Sequence, residues 1–293
     1  MSSAGQIIKG IGGFYYVKTK DGRVYECRAK GRFRKENQTL LTGDEVTFNM
    51  PTDTESGVIT DVHERKNELV RPPVANIDLL LIVVSANKPV ADLLMVDRLL
   101  VYCDSSGIDA ALIINKTDEG IEENIAEEYS GCGHDVFCIS AKTGAGCNKV
   151  RDEIRGRTVC LAGQSAVGKS SMINMLLGEQ AMETGTLSRK TDRGRHTTRH
   201  SEIFFVDELC ATVIDTPGFS VLKSINVEPN ELASYYSEFL AVKCKFRGGC
   251  LHRNEPGCGV IAGVESGAIP KGRYERYLRL LDELIERKDK HYD

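Results

Sequence analysis

Eight consecutive residues, Gly163-Gln164-Ser165-Ala166-Val167-Gly168-Lys169-Ser170, have the types and spacing that hold a polyphosphate. They match G-x-x-x-x-G-K-[ST]. The two glycines permit backbone angles and close approaches that a Cβ blocks. The loop's N–H groups can then converge on phosphate oxygens. Lys169 adds a positive charge at the β/γ-phosphates, and Ser170 offers a hydroxyl to Mg²⁺. Ser171 follows in the same helical turn and is grouped with the nucleotide-binding residues. The plain alternative is a glycine turn before an ordinary helix. Against it stand an apolar run over 158–162, read as a buried strand, and a helix over 169–177 whose positive end faces the anion.

Three further motifs follow apolar runs. Asn115-Lys116-Thr117-Asp118 matches N-K-x-D. A carboxylate at Asp118 accepts hydrogen bonds from the N1–H and 2-amino group of guanine. Adenine has neither donor and leaves a buried carboxylate unpaired, at about 1–3 kcal/mol or more. Alone, these four residues also describe a plain loop after a strand. Ser140-Ala141-Lys142 stands where such sites meet the guanine O6, and is a weaker signal still. Asp215-Thr216-Pro217-Gly218 matches D-x-x-G: Asp215 reaches Mg²⁺, commonly through water, and the Gly218 N–H bonds the γ-phosphate. Residues 189–200 are basic, polar and poor in apolar side chains, which reads as a mobile loop. A threonine there, Thr197 or Thr198, meets Mg²⁺ only when the γ-phosphate is present, which makes the loop a switch.

A separate chemistry lies near the C-terminus. Cys244, Cys250, His252 and Cys258 fall within fifteen residues of polar, glycine-containing chain. Three sulfurs and one imidazole suit a closed tetrahedral Zn²⁺ site. We expect the metal to replace a core that this small domain cannot build. Lys243, Lys245, Arg247 and Arg253 border it, which suits RNA phosphate and equally a solvated rim. The other seven cysteines (Cys27, Cys103, Cys132, Cys138, Cys147, Cys160 and Cys210) read as reduced small side chains.

The elements that must position these groups are legible from period and punctuation. From about residue 7 to 68, short alternating stretches at 13–17, 23–27, 44–48 and 57–62 are broken by glycine turns, which predicts a five-stranded OB-type barrel. Residues 18–35 hold eight Lys/Arg (18, 20, 23, 28, 30, 32, 34, 35) against Asp21 and Glu26, with Tyr15, Tyr16, Tyr25 and Phe33 interleaved. Phosphate attraction and base stacking make that an RNA surface; a solvated basic face over core aromatics gives the same composition. Arg71-Pro72-Pro73 marks a boundary. Beyond it, strands at 78–84, 110–114 and 135–139 alternate with helices at 93–103 and 119–129, as in a doubly wound α/β sheet whose ligands sit at strand ends. Strands follow at 202–206 and 211–214, and helices at 230–242 and 274–287, the last with Tyr277, Leu278, Leu281 and Ile285 on one face. The expected division is 1–70, 71–222 and 223–293. With 293 residues, 41% apolar and 27% charged, the chain suits a globular protein, and a net charge of −4 excludes a polycation. No apolar run approaches 18 residues and no signal pattern opens the chain, so the expectation is a cytoplasmic protein with no membrane partner.

Together these motifs resemble the GTPase G-domain in a rotated order. Ordinary GTPases run P-loop, switch, D-x-x-G, N-K-x-D, S-A-K; here N-K-x-D and S-A-K precede the P-loop, a circular permutation that keeps all five at strand ends. With the barrel before and the cysteine cluster after, nearly the whole chain resembles RsgA (also called YjeQ), the family of small-subunit-dependent ribosomal GTPases. The resemblance implies a monomer that binds the small (30S) ribosomal subunit and its 16S rRNA late in maturation, hydrolyses GTP to GDP and phosphate with Mg²⁺, and carries one Zn²⁺. The interval from Cys244 to Cys250 is one residue longer than the family's, with the extra residue in Gly248-Gly249. Ras-like enzymes place a water-orienting glutamine after D-x-x-G; here that position is Phe219. The resemblance gives the water-orienting role to a switch histidine, which His196 matches. Two other readings stay open: an RNA-binding assembly factor with a structural nucleotide, and an ATP-using P-loop enzyme, against which N-K-x-D argues.

Overall fold

The computed structural model describes residues 2–36, 38–52, 55–69, 73–120, 124–178, 202–215, 225–246 and 249–289. It comprises two compact units, Met1–Leu79 with Arg151–Leu161 and Ile173–Phe219, and Leu80–Val150 with Ala162–Met172 and Ser220–Asp293.

The first unit opens with strands β1 (Ser2–Ile11), β2 (Phe14–Lys18), β3 (Val24–Ala29), β4 (Glu45–Asn49) and β5 (Gly57–Val62). They close a barrel in the order β1-β2-β3-β5-β4, with β3 and β5 parallel and the other pairs antiparallel. This is the predicted five-stranded OB-type barrel. Alternation explains its interior: Ile7, Val17, Cys27, Val46, Phe48 and Ile59 are all fully buried. The first strand starts earlier than expected because its front half pairs with β4 and its back half with β2. Gly5 permits that crossing, since a Cβ there would sit 2.6 Å from the Lys18 carbonyl oxygen. A short helix absent from the sequence reading, α1 (Gly31–Lys35), drops Phe33 into the core. Asp44 is fully buried and takes Nε and Nη2 of Arg65 at 2.7 and 2.9 Å. Two short strands, β6 (Glu68–Leu69) and β7 (Val74–Ala75), form a hairpin.

Of the six-stranded α/β sheet, β8 (Leu79–Ser85), β9 (Asp109–Asn115) and β10 (Asp135–Cys138) line up as β10-β9-β8. All seven residues of β8 are buried, as its unbroken apolar run requires. The other strands are β11 (Thr158–Ala162), β12 (Glu202–Val206) and β13 (Ala211–Asp215), with β13 parallel to β11 and antiparallel to β12.

Among the described residues the further helices are α2 (Leu93–Ser106), α3 (Ile125–Glu128), α4 (Cys147–Glu153), α5 (Lys169–Leu177), α6 (Ser237–Leu240), α7 (Gly259–Glu265) and α8 (Lys271–Asp289). Two expected helices are shorter. The segment at 119–129 gives a 3-10 turn, Thr117–Glu119, then α3, because Gly120 leaves the helical region at φ 99°. The segment at 230–242 splits into a 3-10 helix, Leu232–Tyr235, and α6. Tyr236 breaks it with ψ 97°, and its fully buried ring stacks on Phe239 at 4.9 Å and meets Tyr277 edge-on at 5.2 Å. Tertiary packing there overrides helical propensity. The buried face of α8 is Arg273, Tyr277, Leu280, Leu281 and Leu284, so Leu278 and Ile285 lie at its margin rather than its centre.

A charged cluster is sealed inside the second unit. Asp97 on α2 is fully buried and bonds Arg273, Arg276 (2.6 Å) and the Tyr129 hydroxyl (2.5 Å). Arg273 also donates to Glu238 at 2.7 Å, and Arg276 to Glu128 at 2.8 Å. Every full charge in the cluster has a counter-charge, the condition under which burial is tolerable.

Candidate nucleotide site and metal centre

The loop after β11 is built by backbone conformations few side chains accept. A Cβ on Gly163 (φ 143°) would lie 2.2 Å from the Val83 carbonyl oxygen, and one on Gly168 (φ 97°) 2.3 Å from Asn115 Nδ2. Val167 is fully buried and anchors the loop, while Ser165 and Ala166 are exposed at its crest. Ala166 holds φ 65° without being glycine, a conformation that costs an L-residue about 1–2 kcal/mol. Lys169 folds back so that its Nζ meets the carbonyls of Gly163 and Gln164 at 2.8 and 2.7 Å. Ser170 and Ser171 are exposed in the first turn of α5.

Asn115 joins three predicted elements. It is 2% exposed, donates to the Val167 carbonyl at 2.9 Å and accepts from the Ala141 N–H at 2.9 Å. Ser140 donates to Asp118 Oδ1 at 2.6 Å, and Lys142 Nζ lies 3.9 Å from Oδ2. The Ser140 hydroxyl, backed by the Lys142 and Lys116 charges, holds the Asp118 carboxyl below the usual carboxylate range. Lys116 turns through φ 66° and donates to the Lys88 carbonyl at 2.8 Å, and Thr117 N–H bonds the Ile139 carbonyl. A carboxylate kept ionised beside a phosphate loop can accept two donors from a base. Gln164 has a partner the sequence did not announce: its Oε1 accepts from the N–H of Asp92, the residue that caps α2 on Met95.

Asp215 ends β13 in the first unit, opposite Leu161 of β11 and Glu202 of β12. His196, Thr197, Thr198 and Gly218 lie outside the described residues, as do Arg71, Pro72, Phe219 and Arg247.

The four expected metal ligands come together. Their ligand atoms all lie within 4.8 Å of one another. Cys258 Sγ is 4.0 Å from Cys244 Sγ, 3.7 Å from Cys250 Sγ and 3.1 Å from His252 Nδ1. Zn–S bonds near 2.3 Å in a tetrahedron put sulfurs about 3.8 Å apart, so the donor set fits Zn²⁺. Burial lowers the pKa of His252 and favours the neutral imidazole a metal needs. Two tyrosines of α8 pin the ligand loop: Tyr274 donates to the His252 carbonyl at 2.8 Å and Tyr277 to that of Leu251 at 2.7 Å. Glu255 accepts from the N–H groups of Leu251, Arg253 and Asn254. Burial pushes its pKa up, but these bonds outweigh it and hold the carboxyl below its usual range. The expectation that metal replaces a core needs correction. Cys250 and Cys258 belong to a buried cluster with Leu232, Tyr236, Phe239, Val260, Tyr277 and Leu281. Helical packing supplies a core, and the cysteine–histidine cluster is built into its edge.

On the barrel, the interleaved aromatics divide. Phe33 is 3% exposed and Tyr25 packs on Phe48 at 5.6 Å, so these two serve the core. The Tyr16 hydroxyl bonds Glu26. Tyr15 and Arg28 line a groove of about 510 Å³ with Gly31, Gln38 and Thr39. Near the metal centre, Arg253 pairs with Asp282 at 2.8 Å. Among the described residues no helix is long and apolar enough to cross a membrane.

The family model described as RsgA GTPase matches residues 62–225, and that of the RsgA N-terminal domain matches 4–59. A relative from Clostridium beijerinckii named small ribosomal subunit biogenesis GTPase RsgA is 42% identical over 288 residues, covering 96% of this chain and 97% of that protein. One of the same name from Geobacillus kaustophilus is 43% identical over 295 residues, covering 98% and 99%. The crystal structure of YjeQ from Thermotoga maritima superposes with a TM-score of 0.79 at 32% identity, covering 97% of this chain and 99% of that one. YloQ, described as a circularly permuted GTPase, gives 0.76 at 32% identity, covering 98% and 96%.

Proposed function

The chain belongs to the RsgA GTPase family, and from that premise we propose that it is a GTPase acting on the small ribosomal subunit during its late maturation. The observation that carries this reading is Asn115, which ties the phosphate loop to the Ala141 backbone while Ser140 holds Asp118 ionised for a guanine edge. Asp118 and Ser140-Ala141-Lys142 take the base, with Asn115, Lys116 and Thr117 shaping the loop. Gly163 to Ser171 cradle the phosphates, and the Gly218 N–H bonds the γ-phosphate. Ser170, Asp215 and Thr197 or Thr198 are the residues that would hold Mg²⁺, which when bound neutralises phosphate charge. His196 orients the attacking water, a task open to imidazole and closed to Phe219. Cys244, Cys250, His252 and Cys258 would hold one Zn²⁺ as a structural ion.

The barrel, read as domain 1–70, contacts 16S rRNA; 71–222 is the permuted GTPase domain and 223–293 the zinc-binding domain. The protein works as a cytoplasmic monomer. GTP hydrolysis measured with and without purified small subunits tests the whole reading, with ATP and large subunits as controls. Stimulation by small subunits alone is expected, and no stimulation with GTP binding intact removes the partner. Retention of stimulated hydrolysis in His196→Ala removes the catalytic assignment.

A further inference from the structure

One lysine of the barrel's basic stretch is engaged with a strand of the α/β sheet. Lys18, the last residue of β2, places its Nζ 3.2 Å from the centroid of the Phe205 ring on β12. Both belong to the first unit, where β1 also runs beside β12. The other cation–ring contacts of the barrel, Arg28 over Phe14 at 4.6 Å and Arg32 over Phe33 at 5.2 Å, stay inside it. Among the described residues Lys18 alone reaches from the basic stretch to an aromatic ring outside the barrel. The strand it touches leads to the nucleotide chemistry. Phe205 lies opposite Thr212 on β13, and the same ladder puts Glu202 opposite Asp215.

An ammonium is drawn to a ring face by the ring's quadrupole and to nucleic-acid phosphate by its charge. One Lys18 cannot sit on both. We propose that Phe205 is a positioning residue for GTP hydrolysis: Lys18 pins β12 to the barrel and holds Asp215 back, and RNA phosphate that captures Lys18 releases β12 and lets Asp215 take its working place. This rests on the reading above that the barrel binds RNA and that Asp215 serves the reaction. It supplies what a ligand-driven change requires, an element with two arrangements that the ligand tells apart.

The test compares the full-length protein with Phe205→Leu, which keeps an apolar side chain without a ring face, and Phe205→Tyr, which keeps the face. GTP turnover is measured alone and with small subunits, and subunit affinity is measured across a salt series. Phe205→Leu is expected to raise basal turnover about 5- to 10-fold, the low end of typical coupling between sites, with small subunits adding little more and subunit affinity within about twofold of the parent. Phe205→Tyr keeps the parent's low basal turnover and its stimulation. Lys18→Met reproduces the rise, and the double variant gains no more than either single one, as expected of one shared contact. Parent-level basal turnover with full stimulation in Phe205→Leu overturns the proposal. So does an equal fall in basal turnover, affinity and stimulation, which marks a packing role. Absence of stimulation in the unaltered protein overturns the underlying reading, and the relay with it.

Discussion

Asn115 Nδ2 donates to the carbonyl oxygen of Val167 across 2.9 Å, and a Cβ on the next residue, Gly168, would lie 2.3 Å from that nitrogen. The phosphate loop and the base-side loop are thus fitted to each other through one amide. Asn115→Ala leaves the buried Val167 carbonyl and the Ala141 N–H without this partner. Each orphaned group costs about 1–3 kcal/mol. GDP affinity is expected to fall about 10- to 100-fold, as read by titration with a fluorescent guanine nucleotide. Affinity within twofold of the parent removes the tie from the argument.

Acid sensitivity follows from Ser140. Its hydroxyl is the main cause that holds the Asp118 carboxyl below the ordinary range. A depressed carboxylate is charged above its folded pKa and loses its contribution as pH falls through that value. GDP affinity should therefore stay flat from neutral pH down through the ordinary carboxylate range. In Ser140→Ala the acid limb moves to higher pH. An unmoved limb shows that another group sets it.

Cys258 is the hub of the candidate metal site, with a close contact to each of the other three residues. Cys258→Ser should take zinc content from about one equivalent per chain toward zero and lower the melting temperature, because metal binding and folding share free energy. Elemental analysis and a thermal melt check both. Zinc retained in full would mean that the four residues are not the ligand set.

Asp97→Asn leaves Arg273 and Arg276 buried with one counter-charge fewer. Breaking a buried pair in this way costs about 3–5 kcal/mol, visible as a lower urea midpoint. Exchanging exposed Glu275, paired with Lys271 at 3.5 Å on the solvent side of α8, is expected to cost under about 1 kcal/mol.

Much of this architecture was legible. Period-two stretches at 13–17 and 57–62 became β2 and β5 because the barrel buries alternate residues. The helix over 169–177 appeared with the same bounds because a glycine loop and an apolar face fix both ends. The gathering of Cys244, Cys250, His252 and Cys258 was readable because their spacing is short. What stayed hidden depends on partners far away in sequence. The break at Tyr236 is decided by Phe239 and Tyr277. The cap at Asp92 gives no hint of Gln164, 72 residues on. Arg273 and Arg276 did carry a signal, two arginines three apart on the apolar stripe of α8, but the carboxylate they meet lies on α2.

That last pairing has a consequence for biosynthesis. Asp97 and Arg273 stand 176 residues apart. A growing chain can assemble β8 to β10 and α2 early, since domains form from the N-terminus as they emerge. It carries a carboxylate that has the Tyr129 hydroxyl but no counter-charge at the heart of that unit until α8 has been made. The clasp closes only once α8 has emerged, so a product terminated before it keeps the nucleotide loop's sequence without the counter-charges that let its scaffold settle.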